Sequence, residues 1–219
     1  RLNRQPLGEP LQVSQPLWDV LNLSSQIYVW SGATFDPAVG RLVELWGFGS
    51  SERNTEIPAD KTIDTQLADS GLQFVEFGAN RRVTRHRDVL LDLSAIAKGY
   101  AVDQLAQYLE SQALTNYLVE VGGEMRVSGN NPQGKLWRIA IETPDTMGFV
   151  ERVVELSSGS VATSGDYRNY FELEGERYSH TIDPRTGRPV THNLASVTVF
   201  ANQCAAADAM ATAFSVLGP

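Results

Sequence analysis

Five short apolar runs between residues 135 and 200 constrain the fold more than any other feature of this sequence. Gly, Pro, Ser and Asn separate the runs, a pattern typical of strands joined by turns. In order, the runs are LWRIAIE, RVVEL, RNYFEL, ERYSHTI and ASVTVFA. The second half of the chain is therefore predicted to consist mostly of strands.

Apolar residues at helical spacing mark other parts of the chain. One amphipathic pattern follows Pro16 and stops at Ser31-Gly32, and a second runs from about Ala59 to Ser70 between a proline and a glycine. Two more helices are predicted from the segments SAIAKGYAVDQLAQYLESQ and QCAAADAMATAFSVL.

Strands are also predicted on both sides of the third helix. The runs QFVEF and DVLLDL lie between Gln73 and Leu93, and YLVEVGGEMRVSG follows as a strand, a glycine corner and a second strand. This βαβ-like passage is expected to bring a strand end, the helix start and the Gly-Gly corner close together. The predicted fold class is α/β or α+β, with mixed, largely antiparallel sheets flanked by helices and a ligand between them.

Composition and charge exclude several classes of protein. With 42% hydrophobic residues the 219-residue chain is globular, and no window approaches the roughly 20 apolar residues of a membrane helix. A formal charge of −8 argues against a general nucleic-acid surface, which needs clustered positive charge. The single cysteine, Cys204, excludes an internal disulfide framework, and its alanine-rich surroundings indicate a buried, inert thiol.

A carboxylate and a hydroxyl lie four residues apart on the last predicted helix. Asp208 and Thr212 therefore share one face, about one turn apart, among alanines that let a ligand approach. Hard oxygen ligands of this kind suit Mg²⁺, which also binds substrate phosphate oxygens. The alternative is structural: the aspartate pairs with an arginine, and the threonine bonds to its own helical turn.

Lys98 lies beside a glycine at the start of the third predicted helix, in a chain with only three lysines. Helix N-termini carry free N–H groups and a positive partial charge, so Lys98 and this terminus together would bind an anion. A solvated surface lysine is the alternative. The Gly122-Gly123 corner permits close approach of a backbone, although such a pair most often forms only a turn.

Two further segments contain polar candidates. SGATFDPAVG carries Phe35 and Asp36, and the residues Thr163, Ser164 and Gly165 precede an aromatic-rich run. The Thr-Ser-Gly segment would hydrogen-bond a ligand or merely form a turn. For the first segment, the alternative is a helix stop with one core phenylalanine.

The segment YSHTIDPRTGRPVTHN, residues 178–193, has good turn chemistry. Proline presets φ at one position, and glycine accepts a positive φ at another. A turn does not require His180, whose reference pKa lies near neutrality and suits a general base. A satisfied structural histidine is the alternative interpretation.

Six segments of the chain occur together in a characteristic order. They are SGATFDPAVG, LDLSAIAKGYAVD, YLVEVGGEMRVSG, VATSGDYRNYF, YSHTIDPRTGRPV and AADAMATAFSVLG. In this order they resemble the ApbE family of bacterial FAD:protein FMN transferases, formerly called thiamine-biosynthesis lipoproteins, from residue 1 to residue 219. The chain departs from the family pattern at Ala33-Thr34, where Gly-Ala is more frequent, and at Arg41, where proline is usual.

The resemblance implies Mg²⁺-dependent transfer of the FMN moiety of FAD onto a threonine or serine hydroxyl of a target flavoprotein, with release of AMP. It implies metal ligands at the main-chain oxygen of Ala95 and at Asp208 and Thr212. His180 and Asp208 are the expected catalytic residues, with Asp183 as an alternative base. The implied FAD-site residues are Thr34, Phe35, Asp36, Asp92, Lys98, Gly122, Gly123, Glu124, Thr163, Ser164, Gly165, His180 and Ile182.

Two rival functions use the same residues. In a FAD pyrophosphatase, water would attack in place of the protein hydroxyl. A non-catalytic FAD-binding module would keep the pocket without needing the metal pair, so the presence of Asp208 and Thr212 favours an enzyme.

The family resemblance also carries expectations about architecture and location. A tunnelling-fold-like duplication is implied, within one domain over residues 1–219 that is truncated at both ends. The expected location is the periplasm, in association with the inner membrane, with a lipid anchor on a preceding segment. The expected partners are FAD and an acceptor flavoprotein, and no nucleic acid.

Overall fold

The computed structural model describes residues 1–49, 56–144, 149–165, 170–173 and 175–219. The chain divides into two units and enters each of them twice. The first unit consists of Arg1–Leu93 and Asn169–His192, and the second consists of Ser94–Arg168 and Asn193–Pro219. The expectation of a single domain over residues 1–219 stays a prediction.

Helices and strands alternate irregularly along the described residues. The helices are α1 (Gln15–Trp30), α2 (Gly40–Leu45), α3 (Asp60–Ala68), α4 (Ala97–Ser111) and α5 (Cys204–Leu217). The strands are β1 (Leu11–Gln12), β2 (Val75–Gly78), β3 (Arg82–Arg85), β4 (Tyr117–Val121), β5 (Glu124–Ser128), β6 (Trp137–Glu142), β7 (Val150–Leu156), β8 (Ser158–Gly165), β9 (Tyr170–Leu173), β10 (Glu176–Ser179), β11 (Ile182–Asp183), β12 (Arg188–Pro189) and β13 (Ser196–Ala201). No helix in these ranges is both long enough and apolar enough to cross a membrane.

The first unit contains a three-stranded antiparallel sheet in the order β1-β3-β2. Two antiparallel hairpins, β9 with β10 and β11 with β12, belong to the same unit. α1 begins after Ser14, whose Oγ accepts the N–H of Leu17 at 3.4 Å, and Pro16 lies in its first turn. The buried face of α1 carries Val20, Leu21, Ser24 and Ile27.

The second unit is built on a four-stranded antiparallel sheet in the order β13-β8-β5-β4, with β6 and β7 as a separate hairpin. α4 and α5 pack against each other, and α5 also lies on β8. Val102 of α4 and Cys204 of α5 share an apolar cluster with Val119 of β4. The helices approach so closely at their first turns that a Cβ on Gly99 would lie 2.4 Å from the main-chain oxygen of Cys204.

The predicted fold class and most of the predicted elements are confirmed. All strand pairs in the described residues are antiparallel. The four helical patterns form α1, α3, α4 and α5, and YLVEVGGEMRVSG forms β4 and β5 around its glycine corner. LWRIAIE, RVVEL and ASVTVFA form β6, β7 and β13, while RNYFEL begins outside the described residues and its described part forms β9.

The prediction of a strand over DVLLDL is wrong. This segment forms no strand in the structure, and the strand before α4 is β3. Its main-chain groups form hydrogen bonds with separate partners and not with one strand. Leu90 O accepts the N–H of Gly40 at 3.0 Å, and the main chain of Leu91 forms two hydrogen bonds of 2.9 Å with the side-chain amide of Asn3. β3 and β4 belong to different sheets, so α4 is not the crossover helix of a βαβ unit.

α2 and β8 are among the elements that are not predicted from the sequence, and one predicted strand is interrupted. α2 is short, and β8 has the sequence SGSVATSG, whose glycines and serines weaken the strand signal. β8 nevertheless lies inside the sheet, between β13 and β5. The ERYSHTI run forms β10 only to Ser179 and resumes as β11 at Ile182, so His180 lies between two short strands.

Candidate active site

Asp208 lies on α5 in the second unit and is buried, with 6% of its surface exposed. Its Oδ2 accepts the N–H of Gly99 at 3.0 Å, in the first turn of α4. The first amides of a helix have no partner within the helix, so this carboxylate satisfies one of them. No ion pair joins Asp208 to an arginine in the part of the chain that the structure describes.

Burial raises the pKa of Asp208 from 3.8 to about 6. The N–H of Gly99 lowers this pKa, the negative charge of Glu124 raises it, and the positive charge of Lys98 lowers it. The carboxylate is consequently held in a site where its charge is only partly compensated. A cation that approached it would be attracted strongly, because the surrounding protein excludes water.

α5 is anchored by a residue that has no recognisable signal in the sequence. Both carboxylate oxygens of Asp103, on α4, accept the first amides of α5: those of Cys204 at 3.0 Å and Ala205 at 2.9 Å. Arg126 holds the same carboxylate at 2.8 Å. Asp103 thus caps a helix that begins about a hundred residues later in the chain, and it fixes the position of Asp208 one turn further on.

The buried face of α5 consists largely of small residues. The buried alanines of the helix are Ala205, Ala207, Ala209, Ala211 and Ala213. Thr212 follows Asp208 by four residues on this helix and is half-buried. Ala95, the third implied metal ligand, lies in the turn that leads into α4 and belongs to the same unit.

Lys98, in the first turn of α4, forms an ion pair with Glu124 at the start of β5. Lys98 Nζ lies 2.5 Å from Glu124 Oε1. The side chain of Glu124 is 2% exposed and that of Lys98 is 44% exposed. The second oxygen, Glu124 Oε2, is buried and has no hydrogen-bond partner among the described residues.

The Gly-Gly corner lies directly beside this ion pair. Gly122 and Gly123 both have positive φ, 60° and 100°, as a tight turn between β4 and β5 requires. A Cβ on Gly122 would lie 3.1 Å from Lys98 Cδ. The prediction that the helix start and the glycine corner are close together is confirmed.

Thr163, Ser164 and Gly165 form the last residues of β8 and not a separate turn. They pair with β13, where Thr163 lies opposite Thr198 and the two hydroxyl oxygens are 2.8 Å apart. The turn interpretation of this segment is therefore wrong. Whether the segment contacts a ligand stays a prediction.

The first unit holds the other implied FAD-site residues. Thr34 and Phe35 are each 3% exposed, and Thr34 Oγ1 donates to Ser31 O at 3.1 Å. Asp36 accepts the N–H of Ala38 at 2.8 Å and of Leu72 at 3.1 Å, while burial raises its pKa. These side chains hold their own loop in place, a role that the local sequence does not reveal.

Asp92 lies one residue before the end of Arg1–Leu93, the longer of the two segments that form the first unit. Its N–H donates to Pro37 O at 2.7 Å, which connects it to the loop that carries Thr34, Phe35 and Asp36. These four positions are therefore brought together within the first unit.

His180 lies half-buried at one end of a row of aromatic rings in the first unit. Its ring meets Phe48 edge-on, with centroids 6.3 Å apart. Phe48 stacks on Phe171 at 5.4 Å, Phe171 on Tyr178 at 5.0 Å and Tyr178 on Trp46 at 5.9 Å. Ile182, two residues after the histidine, is buried in the same apolar cluster.

The turn after His180 is confirmed and is tied to the core. Gly187, with φ of 70°, donates its N–H to Asp183 O at 2.8 Å. The carboxylate of Asp183 accepts the main-chain N–H of Arg185 at 2.8 Å and the N–H groups of two guanidinium nitrogens of the same arginine, Nε and Nη2. Trp46 Nε1 donates to Gly187 O at 2.8 Å, which attaches the turn to α2's end.

The implied site residues thus fall into two sets. The first unit contains Thr34, Phe35, Asp36, Asp92, His180 and Ile182. The second contains Ala95, Lys98, Gly122, Gly123, Glu124, Thr163, Ser164, Gly165, Asp208 and Thr212. Among the described residues, no group of three or more His, Cys, Asp or Glu side chains is arranged to hold a metal ion, so a metal here would need hydroxyl or main-chain oxygens as well.

Comparison with known proteins places the chain in one family. A model of the ApbE family matches residues 1–219. The FAD:protein FMN transferase of Vibrio cholerae is 42% identical over 219 residues, and that of Escherichia coli is 41% identical over 225 residues. Each match covers 100% of this chain, but 66% and 64% of the respective relative, so the chain spans just under two thirds of their length.

Solved structures show the same fold. The flavinyl transferase ApbE of Pseudomonas stutzeri, in its apo form, matches with a TM-score of 0.90 at 39% identity, over 99% of this chain and 67% of that one. The ApbE protein of Thermotoga maritima matches with a TM-score of 0.89 at 36% identity, over 97% and 68%. The match over every residue, supported by these structures, establishes that the chain belongs to the ApbE family.

Proposed function

We propose that this chain carries the active site of a FAD:protein FMN transferase. In this reaction FMN moves from FAD onto a threonine or serine hydroxyl of a target flavoprotein, and AMP is released. The names of the relatives at 41–42% identity support the reaction class. One observation within the chain carries the proposal: the buried carboxylate of Asp208 meets the start of α4 at Gly99, in the same turn as the ammonium of Lys98.

Mg²⁺ fits the oxygen donors near this helix start. Asp208 offers a buried carboxylate whose pKa is raised to about 6, so the site lacks positive charge that a dication would supply. We propose that Asp208, Thr212 and the main-chain oxygen of Ala95 hold the ion. When bound, Mg²⁺ would neutralise negative charge on the pyrophosphate of FAD.

The start of α4 and Lys98 would bind and orient that pyrophosphate. Helix amides and an ammonium group are suited to phosphate oxygens, and in phosphoryl transfer positioning and charge neutralisation supply most of the catalysis. The acceptor oxygen forms a bond to the phosphorus of the FMN phosphate, and the bond from that phosphorus to the bridging oxygen breaks. AMP leaves with the bridging oxygen.

His180 is the proposed acceptor of the hydroxyl proton. The competing carboxylate of Asp183 accepts hydrogen bonds from three nitrogens of Arg185, and Asp208 is assigned to the metal. The reference pKa of an imidazole lies near neutrality, which suits a general base. The edge-on contact with Phe48 orients its ring.

A product assay tests the reaction. Purified protein is incubated with FAD, MgCl₂ and an acceptor peptide that bears a Gly-Ala-Thr motif, and peptide-bound FMN is measured against free FMN. Transfer predicts peptide-bound FMN and AMP; free FMN alone indicates a pyrophosphatase, and no turnover with retained FAD binding indicates a binding module.

Variants test the site assignment in the same assay. Asp208→Ala and His180→Ala should each lower the rate by at least about 100-fold, as expected when a metal ligand or a general base is removed. His86→Ala is the matched control, since His86 is exposed in the first unit and pairs with Glu76 on the surface. If both site variants keep the parent rate, the assignment is wrong.

The proposed location is the periplasm, with a lipid anchor that holds the protein at the inner membrane. This part of the proposal is supported by the family resemblance alone. Protease accessibility of the native protein in intact spheroplasts would test it, because a cytoplasmic protein stays protected.

A further inference from the structure

Glu124 is a buried carboxylate whose environment is poorly satisfied. It is 2% exposed and opens β5 at the glycine corner. One of its oxygens pairs with Lys98 Nζ at 2.5 Å, and the other is buried without a hydrogen-bond partner among the described residues. Burial of a carboxylate is unfavourable unless its charge is paired, so Glu124 depends on the ammonium of Lys98.

Lys98 depends on Glu124 in a different way. Its side chain is 44% exposed, and an exposed ammonium on a flexible four-carbon chain samples many positions. The 2.5 Å contact restricts it to one region, beside the start of α4. Its remaining N–H groups are available to a second anion, because an ammonium carries three donors.

The surrounding chain is shaped to accept the lysine in this position. A Cβ on Gly122 would lie 3.1 Å from Lys98 Cδ, so glycine leaves room for the side chain at the corner. Asp208 is a second negative group nearby, and Lys98 contributes to its electrostatic surroundings. A lysine held by Glu124 does not pair with Asp208, which leaves that carboxylate available to a cation.

We propose that Glu124 is a positioning residue that holds the Lys98 ammonium at the start of α4, where its free N–H groups bind the phosphates of FAD. Glu124 acts through Lys98 and does not itself contact the ligand. This inference rests on the proposed function, because it takes the FAD pyrophosphate as the anion. Its first half, the fixing of Lys98, is measurable without any ligand.

Lysine labelling tests that first half. The chain has three lysines, Lys61, Lys98 and Lys135, so acetylation with limiting acetic anhydride can be followed at each site by peptide mass spectrometry. Glu124→Gln keeps the shape and removes the charge. The labelling rate of Lys98 should rise roughly 10-fold relative to the exposed Lys61 and Lys135, since charge-assisted bonds are the stronger hydrogen bonds. Equal relative rates in the variant and the parent would overturn the proposal.

A double-mutant cycle tests the second half. FAD affinity is measured by flavin fluorescence in EDTA for the parent, Glu124→Gln, Lys98→Met and the double variant. Glu124→Gln should weaken binding by about 10-fold in the parent background and by less than about 2-fold in the Lys98→Met background. An equal loss in both backgrounds would show that Glu124 does not act through Lys98, and would refute the inference while leaving the proposed function intact.

Two further variants separate positioning from folding and from the proposed function. Glu120→Gln is the matched control, because Glu120 is exposed at the same corner and accepts the N–H of Gly123 at 2.8 Å, which an amide oxygen also does; its FAD affinity should stay at the parent value. Lys98→Arg keeps the ion pair and should bind FAD more tightly than Lys98→Met. If Lys98→Met, folded by circular dichroism, binds FAD as the parent does, the anion site of the proposed function fails and the inference with it.

Discussion

Replacement of Asp208 by asparagine is expected to make the metal-free protein more stable while it removes the proposed metal ligand. The pKa of Asp208 is raised from 3.8 to about 6, mainly by burial. Because one pH unit corresponds to 1.36 kcal/mol, this difference means that ionised Asp208 costs the folded state about 3 kcal/mol. The asparagine side chain carries no charge. Its oxygen can still accept the N–H of Gly99, whose nitrogen lies 3.0 Å from Asp208 Oδ2 in the parent.

The pH dependence follows from the same two pKa values. Below about pH 3.8 Asp208 is protonated in both the folded and the unfolded chain, and no electrostatic cost arises. Between pH 3.8 and about 6 the unfolded chain loses this proton more readily than the folded one, so folding stability from this group falls as pH rises. Above about pH 6 both states are ionised, and the full cost is present.

Urea unfolding in EDTA, without FAD, measures the effect. At pH 7.5 Asp208→Asn should raise the free energy of unfolding by about 1–3 kcal/mol, the lower value applying if the buried amide N–H₂ finds no partner. At pH 4 the gain should nearly vanish. Asp64→Asn, an exposed change on α3, is the matched control and should alter stability by less than about 0.5 kcal/mol at either pH.

Magnesium should reverse the order of the two proteins. A ligand that binds only the folded state stabilises it by about 2.7 kcal/mol at a concentration 100 times its dissociation constant. Added MgCl₂ should therefore stabilise the parent and leave Asp208→Asn unchanged. An Asp208→Asn variant that is less stable than the parent at pH 7.5 in EDTA, or that shows the same stability difference at pH 4, would contradict this expectation.

Three further predictions concern buried residues. Gly99→Ala would place a Cβ 2.4 Å from a main-chain oxygen, so unfolding free energy should fall by about 2–4 kcal/mol in urea, whereas Gly78→Ala, with 3.7 Å contacts, should change it little. Trp46→Phe leaves a buried carbonyl without its N–H donor and should lower the free energy of unfolding by about 1–3 kcal/mol in the same measurement. Burial and nearby carboxylates raise the pKa of the Cys204 thiol to about 12, so iodoacetamide at pH 8 should modify it only after unfolding; rapid modification of the native protein would contradict this.

Local patterns were sufficient where one element carried its own signal. Apolar spacing and small residues predicted α5, and with it the shared face of Asp208 and Thr212. The same reasoning failed for β8, because its Gly and Ser content is poor for a strand and only its two partners, β13 and β5, make it one. It also failed for DVLLDL, where buried apolar residues resemble a strand but bond to scattered partners.

The contacts that position the site are mostly long-range, and a single sequence does not reveal them. Asp103 caps α5 across 101 residues of chain, and Asp208 meets Gly99 across 109 residues. Lys98 and Glu124 are 26 residues apart and pair only because the turn before β5 returns toward α4. Residue types suggested the chemistry of these positions, while their partners depended on the packing of the whole unit.

The double entry of the chain into each unit has a consequence for biosynthesis. The first unit is complete only after residues up to His192 have been synthesised. The second unit is complete only after α5, which ends at Leu217, has been synthesised. Until α5 has left the ribosome, the sheet surface that it covers is without its helix, and exposed apolar surface of this kind favours aggregation or chaperone binding. Because Asp208 and Thr212 lie on α5, the proposed metal-binding residues are synthesised after all four strands of the sheet that α5 covers.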